Sequence, residues 1–541
     1  MLPILALLVA AGVYAQPADL VITGARIYTV NPAQKTASAI AVKDGRILAV
    51  GQDVSKHVGE KTRRIEARGA TIIPGLIDSH VHMEGLGDLL EVIDLRYVRS
   101  VAEVAELVRR EAARRPAGEW IRGRAWDQTH WGGQFPTARD LAAAAPNHPV
   151  YLTRVDGHAA WVNPRALELA GITAATQDPP GGKIIRDASG APTGVLIDRA
   201  AGLVSRKMPG ASPEVTRRRL AAAARECARL GLTTVHDAGV GAQGLAAYRE
   251  LIARNELPVR IYAMISRGGE LWRQFLARGP EVGDRLTVRS IKLMADGALG
   301  SRGAALLEPY SDDPGNTGLL MVTREEIERI GREAYERGFQ VNTHAIGDRA
   351  NHVVLEAYGA VLGGRNDRRW RLEHAQVIAP PDFELFAKYS VIAAMQATHA
   401  TSDMRWAEAR LGKERVKGAY AWRRLLSLGV PVANGSDFPV EEPNPLWGFY
   451  AAVTRQDRAG NPKGGWQPDQ CMTREEALKS WTLDGAYAAF EEAKKGSLEP
   501  GKLADLVMLS ADIMTIPPPE ILKTRVKMTL LGGEIVYSET P

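Results

Sequence analysis

The feature that most constrains the fold is a unit that occurs three times in the middle of the chain. In each unit a helical segment ends at a glycine, and an apolar, strand-like segment follows that finishes on histidine or aspartate. The units are residues 229–237, 336–344 and 428–437. Glycine supplies the left-handed position that ends a helix, so each unit predicts a helix, a short loop and a strand. Helices that alternate with strands predict a parallel sheet.

Polar residues at the ends of these strands favour a closed sheet, because parallel (β/α)8 barrels carry their active-site residues at the carboxyl ends of the strands. The predicted fold class is therefore α/β, with a (β/α)8 TIM-type barrel. An open, doubly wound sheet is the alternative. The Gly-x-Gly-x-x-Gly turn that would favour an open sheet follows none of the predicted strands.

Both ends of the chain are rich in β-prone segments and turns. Residues 18–72 and 495–541 contain short apolar runs separated by turn signals such as Asp44-Gly45, and Asp-Gly between apolar runs is a strong hairpin signal. We expect the two ends to form one small composite β-sandwich around a barrel over residues 73–494. Within the barrel, residues 473–476 (TREE) form a capping box that should start a helix reaching about Phe490.

Residues 100–210 interrupt the alternation of helices and strands. A helix rich in Ala, Glu and Arg over about 101–115 leads into a loop-rich stretch that contains Trp126 and Trp131. Long segments between the regular elements of a scaffold often carry binding residues. We therefore predict a long insertion over the barrel mouth, at about residues 100–210.

The first residues have the pattern of an export signal. Residues 2–13 are apolar and uncharged, and small residues precede a cleavage point after Ala15, although no Lys or Arg comes before the run. Such a run is too short to span a bilayer, and residues 1–15 therefore predict a signal peptide. The protein is then exported, periplasmic or secreted, and free of the membrane after processing. A mis-assigned start or a buried first segment would leave it cytoplasmic.

Composition narrows the kind of site. Lys and Arg number 68 and Asp and Glu number 63, a net charge of +5 over 541 residues, so we expect no nucleic-acid partner and a small molecule as substrate. Two cysteines exclude a cysteine-based zinc cluster and a disulfide framework. A metal site would have to use histidine, carboxylate and lysine. The sequence leaves a homodimer open.

A histidine pair follows the N-terminal β segment. His80 and His82 lie in residues 74–82 (PGLIDSHVH), and strand residues two apart face the same side. The two imidazoles are therefore predicted to project into one cavity, and imidazole is the commonest protein ligand of metal ions. A single His-x-His motif is as typical of a structural pair as of a metal site, so the interpretation depends on the rest of the chain.

Three further residues lie at the ends of predicted strands. His344 and Asp437 end the second and third units, and His374 follows another strand-like run. Four histidines and one aspartate that all end strands are more typical of a metal site in a barrel than of histidines in a core.

Lys292 lies in an apolar, strand-like segment, where a charged amine is costly. Burial lowers the pKa of such an amine and favours its neutral form. A neutral amine can add CO2 to give a carbamate, which is an anionic ligand able to bridge two cations. The alternative is a lysine that reaches solvent or pairs with Asp296.

Several motifs combine these residues with their neighbours: residues 74–82, 292–302 (KLMADGALGSR), 342–348, 372–374, 435–439 and 501–507. Together they resemble the amidohydrolase superfamily, and within it the YtcJ-like branch (amidohydrolase family 3), which includes N-substituted formamide deformylases. The resemblance runs from about Leu20 to the C-terminus.

The resemblance implies one or two divalent metal ions. The ligands would be divided between a more buried ion (His80, His82 and Asp437) and a more exposed ion (His344 and His374), with Lys292 bridging the two as its carbamate. Zinc is the expected metal, although such ligands also suit Mn, Fe, Co and Ni. The implied reaction is hydrolysis of a C–N bond in an amide, N-acyl or N-formyl amine by a metal-activated hydroxide, with Asp437 as general base and then general acid.

Five further residues are candidates for substrate binding near the predicted mouth: His158, His399, Asp403, Trp126 and Trp131. A structural role is as typical of each of them, and His236 is a candidate partner of a metal ligand.

Two other functions remain: an esterase or lactonase that uses the same centre, and a non-catalytic metal-binding relative. The complete ligand set with Asp437 favours an enzyme.

Overall fold

The computed structural model describes residues 16–95, 98–154, 159–179, 182–300 and 302–539. They form two units, residues 16–83 with 220–539 and residues 84–219. The predicted signal peptide, residues 1–15, lies outside the described residues. Among the helices described, none is long and apolar enough to cross a membrane.

A parallel sheet of eight strands is the core of the first unit, and the order of the strands in the sheet follows the chain. The strands are β1 (Leu76–Val81), β2 (Leu232–Val240), β3 (Arg260–Ser266), β4 (Leu286–Met294), β5 (Gln340–Ala345), β6 (Arg371–His374), β7 (Ile392–Gln396) and β8 (Val432–Gly435). A short strand, Glu281–Val282, pairs antiparallel with β4.

Two backbone hydrogen bonds join the ends of the first and last strands. The N–H of Asp437 donates to the carbonyl of His80 at 2.8 Å, and the N–H of His82 donates to the carbonyl of Phe438 at 2.9 Å. The carboxyl ends of β1 and β8 therefore meet, and the sheet closes into the predicted (β/α)8 TIM-type barrel.

The three predicted helix–glycine–strand units are confirmed. The helices Pro213–Arg229, Arg324–Glu336 and Trp422–Ser427 lead into β2, β5 and β8. The glycines between them have φ angles in the left-handed region: Gly231 at +85°, Gly338 at +74° and Gly429 at +73°. A side chain would be strained in this conformation, so glycine sets the point at which each helix ends.

The other helices of the first unit follow the barrel strands or the C-terminal sheet strands. They are Ala242–Ala253, Leu271–Arg278, Asp348–Leu362, Phe383–Tyr389, Ala397–Asp403, Ala407–Arg415, Pro445–Thr454, Arg474–Ser480, Leu483–Ala488 and Pro518–Ile521, with 3-10 turns at Ser55–His57, Pro380–Asp382, Val416–Gly418 and Pro468–Gln470. The predicted helix from Thr473 to about Phe490 is wrong in length, because it breaks at Trp481 and Thr482 into two short helices.

Strands from both chain ends form two sheets that share an apolar core. The four-stranded sheet contains Leu20–Thr23, Ala39–Lys43, Arg46–Gly51 and Arg63–Glu66. The six-stranded sheet combines Arg26–Tyr28, Thr36–Ala37 and Thr71–Pro74 with the C-terminal strands Leu506–Leu509, Val526–Leu531 and Glu534–Ser538. Side chains from both sheets, Ile22, Ile40, Ile72 and Leu506 among them, pack in the same cluster, as expected for a composite β-sandwich.

The second unit, residues 84–219, has its own sheet and cores. Its strands in sheet order are Gly182–Arg186, Pro192–Asp198, Ala159–Val162, Val150–Arg154, Ile121–Trp126 and Ile93–Asp94. Its helices are Val101–Ala112, Ala138–Ala142, Pro164–Ala170 and Ala201–Ser205, with a 3-10 turn at Gln128–Trp131, while Met83–Leu90 and Pro213–Arg229 are the helices at its two ends. The unit extends beyond the predicted insertion at both ends.

Candidate metal centre

The carboxyl ends of the barrel strands surround a cavity of about 370 Å³. Each predicted metal ligand lines it: His80, His82, Lys292, His344, His374 and Asp437. β4, β5 and β6 are neighbours in the barrel, and β1 meets β8 where the barrel closes. Residues far apart in the chain therefore line the same cavity.

The Asp437 carboxylate lies beside the Nε2 atoms of both histidines of the pair. Its Oδ1 lies 3.2 Å from His82 Nε2 and 3.7 Å from His80 Nε2. Burial would raise the pKa of Asp437, but the contact with His82 and the neighbouring imidazoles hold that pKa well below its usual range. The carboxylate therefore stays ionised. Asp437 itself has a left-handed φ of +59°, a conformation that the turn after β8 imposes.

Hydrogen bonds at Nδ1 orient three of the imidazoles. His82 Nδ1 donates to the carbonyl of Ala238 at 2.9 Å, and His374 Nδ1 donates to Gln396 Oε1 at 2.8 Å. His80 Nδ1 donates to Glu373 Oε2. An imidazole that donates from Nδ1 keeps its lone pair on Nε2, so these three rings present the nitrogen that a metal ion would bind.

The donor atoms fit a metal ion. Among the residues described, His80 Nε2, His344 Nε2, His399 Nε2 and Asp437 Oδ1 are buried without a hydrogen-bond partner. Such groups are costly unless a ligand satisfies them. Burial also lowers the pKa of His80 and His374 well below the usual value and that of His344 to about 3. These imidazoles are therefore neutral, which is the form that binds metal.

Lys292 is buried in β4, with an exposed fraction of 5%. Burial lowers the pKa of its amine to about 8, against the opposing charges of Glu373 and Asp437. A neutral form is thus accessible near neutral pH, as carbamate formation requires. Asp296, the alternative partner of Lys292, accepts hydrogen bonds from the backbone N–H groups of Ala305, Ile346 and Gly347 instead.

Sequence reasoning missed a buried ion pair behind the histidines. Arg371 and Glu373 are both fully buried, and Arg371 Nε lies 2.8 Å from Glu373 Oε1. The same arginine also donates to His236 Nδ1 at 3.0 Å. His236 lies inside β2, which continues to Val240, beyond the predicted end at Asp237. Its hydrogen bond with Arg371 places it behind the predicted metal ligands. The motif around residues 372–374 contained the only signal for Glu373.

His399 and Asp403 line the same cavity from the helix Ala397–Asp403. His399 Nε2 lies 3.7 Å from Asp437 Oδ2. Asp403 accepts a hydrogen bond from the Tyr420 hydroxyl at 2.7 Å, and the Gln376 amide donates to that hydroxyl at 2.8 Å. Burial raises the pKa of Asp403. Neither Tyr420 nor Gln376 was a candidate from sequence.

The tryptophan candidates lie in the second unit. Trp126 is fully buried in its core, and its indole N–H donates to the carbonyl of Leu152 at 2.8 Å. A fully buried ring offers no surface to a substrate, so packing and not substrate contact accounts for Trp126. Trp131 stacks on Trp126 with ring centroids 6.4 Å apart, and a substrate role for it stays a prediction. His158 lies outside the described residues.

A parallel barrel with histidine, aspartate and lysine side chains at its strand ends is typical of metal-dependent hydrolases. The model of the amidohydrolase family matches residues 63–537. The chain belongs to this family, and the resemblance seen in its motifs is confirmed.

Relatives and solved structures agree with that assignment. The chain is 34% identical to YtcJ of Bacillus subtilis (strain 168), over 96% of this chain and 99% of that protein. It is 29% identical to the N-substituted formamide deformylase of Arthrobacter pascens, over 97% of this chain and 99% of that protein. A metal-dependent hydrolase from Pyrococcus furiosus has a similar structure, with a TM-score of 0.76, 28% identity, and 92% of this chain and all of that chain covered.

Proposed function

We propose that this hydrolase cleaves the C–N bond of a small amide, N-acyl or N-formyl amine. The observation that carries the proposal is the set of buried, unpartnered nitrogen and oxygen atoms that converge with the Asp437 carboxylate in one cavity. The similarity to N-substituted formamide deformylase over nearly the full length of both chains supports the C–N bond as the target.

One or two divalent ions, with zinc as the expected metal, would be held by the six residues that the resemblance assigns, including Lys292 as a carbamate. Bound there, the ions would supply Lewis-acid polarisation of the substrate carbonyl and lower the pKa of a water. The chain contributes the orientation of each ligand, because Ala238, Glu373 and Gln396 fix the rings of His82, His80 and His374.

Asp437 moves the proton. Its ionised carboxylate accepts a proton from the attacking water while the oxygen of that water bonds to the amide carbon. The same carboxyl group then returns the proton to the leaving nitrogen as the C–N bond breaks, so one water and one amide give a carboxylic acid and an amine. His399 and Asp403 lie on the same cavity and would contact the substrate or the ions.

The first test is Asp437→Asn, assayed on a panel of N-formyl amines, N-acetyl amines and simple esters. Asparagine keeps the size of the side chain but cannot accept the proton, so we expect kcat to fall about 10²–10⁴-fold while the protein retains much of its metal. Asp44→Asn is the matched control, because Asp44 is exposed.

Three results would count against the proposal. Full activity of Asp437→Asn would exclude its proton role, and activity in a metal-free preparation would exclude the metal centre. Faster turnover of esters than of any amide would favour the esterase or lactonase alternative.

A further inference from the structure

Two carboxylates line the metal-centre cavity in addition to Asp437. Asp403 ends the helix Ala397–Asp403, and Glu441 lies in the loop after β8. The hydroxyl of Ser402 lies between them, because it donates to Glu441 Oε1 at 2.6 Å and is 3.4 Å from Asp403 Oδ1. Asp403 and Glu441 therefore form an acidic pair at one place in the cavity wall.

The acidic pair lacks a compensating cation. The groups that donate to Asp403, the Tyr420 hydroxyl and the Gln376 amide, are neutral. Among the described residues, no lysine or arginine forms an ion pair with either carboxylate, and Lys292 and the histidines are the only basic residues that line the described part of the wall. Burial raises the pKa of Asp403, and the charge of Glu441 raises it further. A partly buried negative charge without a partner is costly, so the pair favours a positively charged ligand.

An aromatic ring accompanies the two carboxylates. Trp406 lines the same cavity, one helical turn beyond Asp403 in the chain. The face of an indole ring attracts ammonium groups, and Trp is the best of the aromatic side chains for this contact. Arg410 lies 5.8 Å from the centre of the Trp406 ring, but its charge is offset by an ion pair with Asp312.

The rest of the wall suits an alkyl chain. Met294, Leu299 and Val440 line the cavity, and the exposed fractions of Met294 and Val440 are 46% and 69%. His399 Nε2 is buried in the same cavity without a hydrogen-bond partner among the described residues, and the exposed fraction of His399 is 8%. A ligand in the cavity would satisfy that nitrogen. The cavity thus offers apolar surface for a chain and negative charge for the end of the chain.

We propose that the substrate is an amide whose N-substituent ends in an ammonium group, and that Asp403, Glu441 and Trp406 bind this group. The inference rests on the proposed function, which supplies the C–N bond that is cleaved, and it names the class of amine that is released. The same two carboxylates repel a substituent that ends in a carboxylate.

The test compares three N-formyl amines of similar length on the zinc-loaded enzyme. N-formylcadaverine ends in an ammonium group, N-pentylformamide is neutral, and N-formylaminovalerate ends in a carboxylate. Because a hydrogen bond to a charged group contributes more than one between neutral groups, we expect kcat/KM to be about 10- to 100-fold higher for the cation than for the neutral substrate. The anion should be the slowest of the three. Equal kcat/KM for the cationic and neutral substrates in the wild type would overturn the proposal without the need for a variant.

Glu441→Gln tests the residue assignment, because glutamine still accepts from Ser402 but carries no charge. The ratio of kcat/KM between N-formylcadaverine and N-pentylformamide should fall about tenfold. A general loss of activity cancels in this ratio, so a purely structural role of Glu441 would not change it. Glu414→Gln is the matched control, since Glu414 is 83% exposed and pairs with Lys417. A ratio in Glu441→Gln that equals that of the wild type would contradict the assignment.

A binding measurement separates this inference from the proposed function. Butyltrimethylammonium is titrated into the zinc-loaded protein by calorimetry, because its quaternary nitrogen has no lone pair for a metal ion. We expect its Kd to rise about tenfold in Glu441→Gln. Binding that depends on Glu441 in a protein that hydrolyses none of the panel substrates would refute the function and leave the cation site standing. Amide hydrolysis with no preference for the cationic substrate would refute the cation site and leave the function standing.

Discussion

At the scale of the residue, the orientation of the histidines depends on groups that never reach the cavity. Glu373 accepts a hydrogen bond from His80 Nδ1 and forms an ion pair with Arg371. All three side chains are almost fully buried. A buried charge without its partner is strongly destabilising, so Glu373 couples the stability of the barrel to the geometry of a predicted ligand.

Glu373→Gln tests this coupling. Glutamine removes the negative charge that strengthens the hydrogen bond from His80, and it leaves the charge of Arg371 without a partner. Breaking a buried pair costs about 3–5 kcal/mol, and losing a group that orients a ligand costs about 10- to 100-fold in metal affinity. Chemical denaturation and zinc titration measure the two effects.

The exposed Glu333→Gln, which breaks a surface pair with Arg329, is the control and should change neither quantity measurably. Wild-type zinc affinity in Glu373→Gln would show that the ion pair does not position His80.

At the scale of the element, the seam between β1 and β8 leaves no space for a side chain at Gly435. A Cβ added there would lie 2.8 Å from the backbone N of His80 and 2.9 Å from Asp78 Oδ1. Asp78 also accepts a hydrogen bond from the Ser436 hydroxyl at 2.6 Å. The close approach of the two strands therefore places His80 beside Asp437.

Gly435→Ala is expected to push the strands apart at the seam. Overpacking of this kind costs about 1–3 kcal/mol, and the shift of His80 should weaken zinc binding as well. Thermal unfolding and zinc titration provide the measurements. In the control Gly364→Ala no atom lies within 4 Å of the added Cβ, and unchanged zinc affinity in Gly435→Ala would contradict the seam argument.

The helix that begins at Thr473 has a local signal for its start but none for its end. The capping box at Thr473 and Glu476 is present, with Glu476 accepting from the N–H of Thr473 at 2.8 Å. The helix nevertheless stops at Ser480, because Trp481 and Thr482 leave helical geometry and Trp481 is buried in the barrel wall. Tertiary packing overrides helix propensity there.

At the scale of the whole molecule, the cavity exists only when the barrel is closed. Asp78 and Ser436 are 358 positions apart in the chain and are joined by a hydrogen bond. The donors around them are dispersed in the unfolded chain. An ion that binds the folded state alone stabilises it by mass action.

Removal of the metal should therefore destabilise the entire first unit. We expect zinc at 1,000 times its Kd to stabilise the folded protein by about 4 kcal/mol, seen as a higher Tm than after chelation. Adding zinc back should restore the Tm, and the increase should be smaller in Asp437→Asn. A Tm that is the same with and without metal would mean that the donors do not bind an ion in the folded state.

The barrel and the residues that surround its cavity could be predicted from the sequence. Helix–glycine–strand units and the position of histidine or aspartate at a strand end are short-range patterns, so they can be interpreted one segment at a time. The composite β-sandwich was predictable for the same reason, because Asp-Gly turns and β-prone runs are local.

Tertiary structure alone decided the contacts across the barrel. The pairing of Glu373 with Arg371, the burial of Trp126 and the approach of His399 to Asp437 depend on the register of strands and helices distant in the chain. No local pattern encodes that register, since it is set by how the packed elements fill the barrel. For this reason the residues around the cavity could be predicted from the sequence, whereas the contacts between them are seen only in the folded structure.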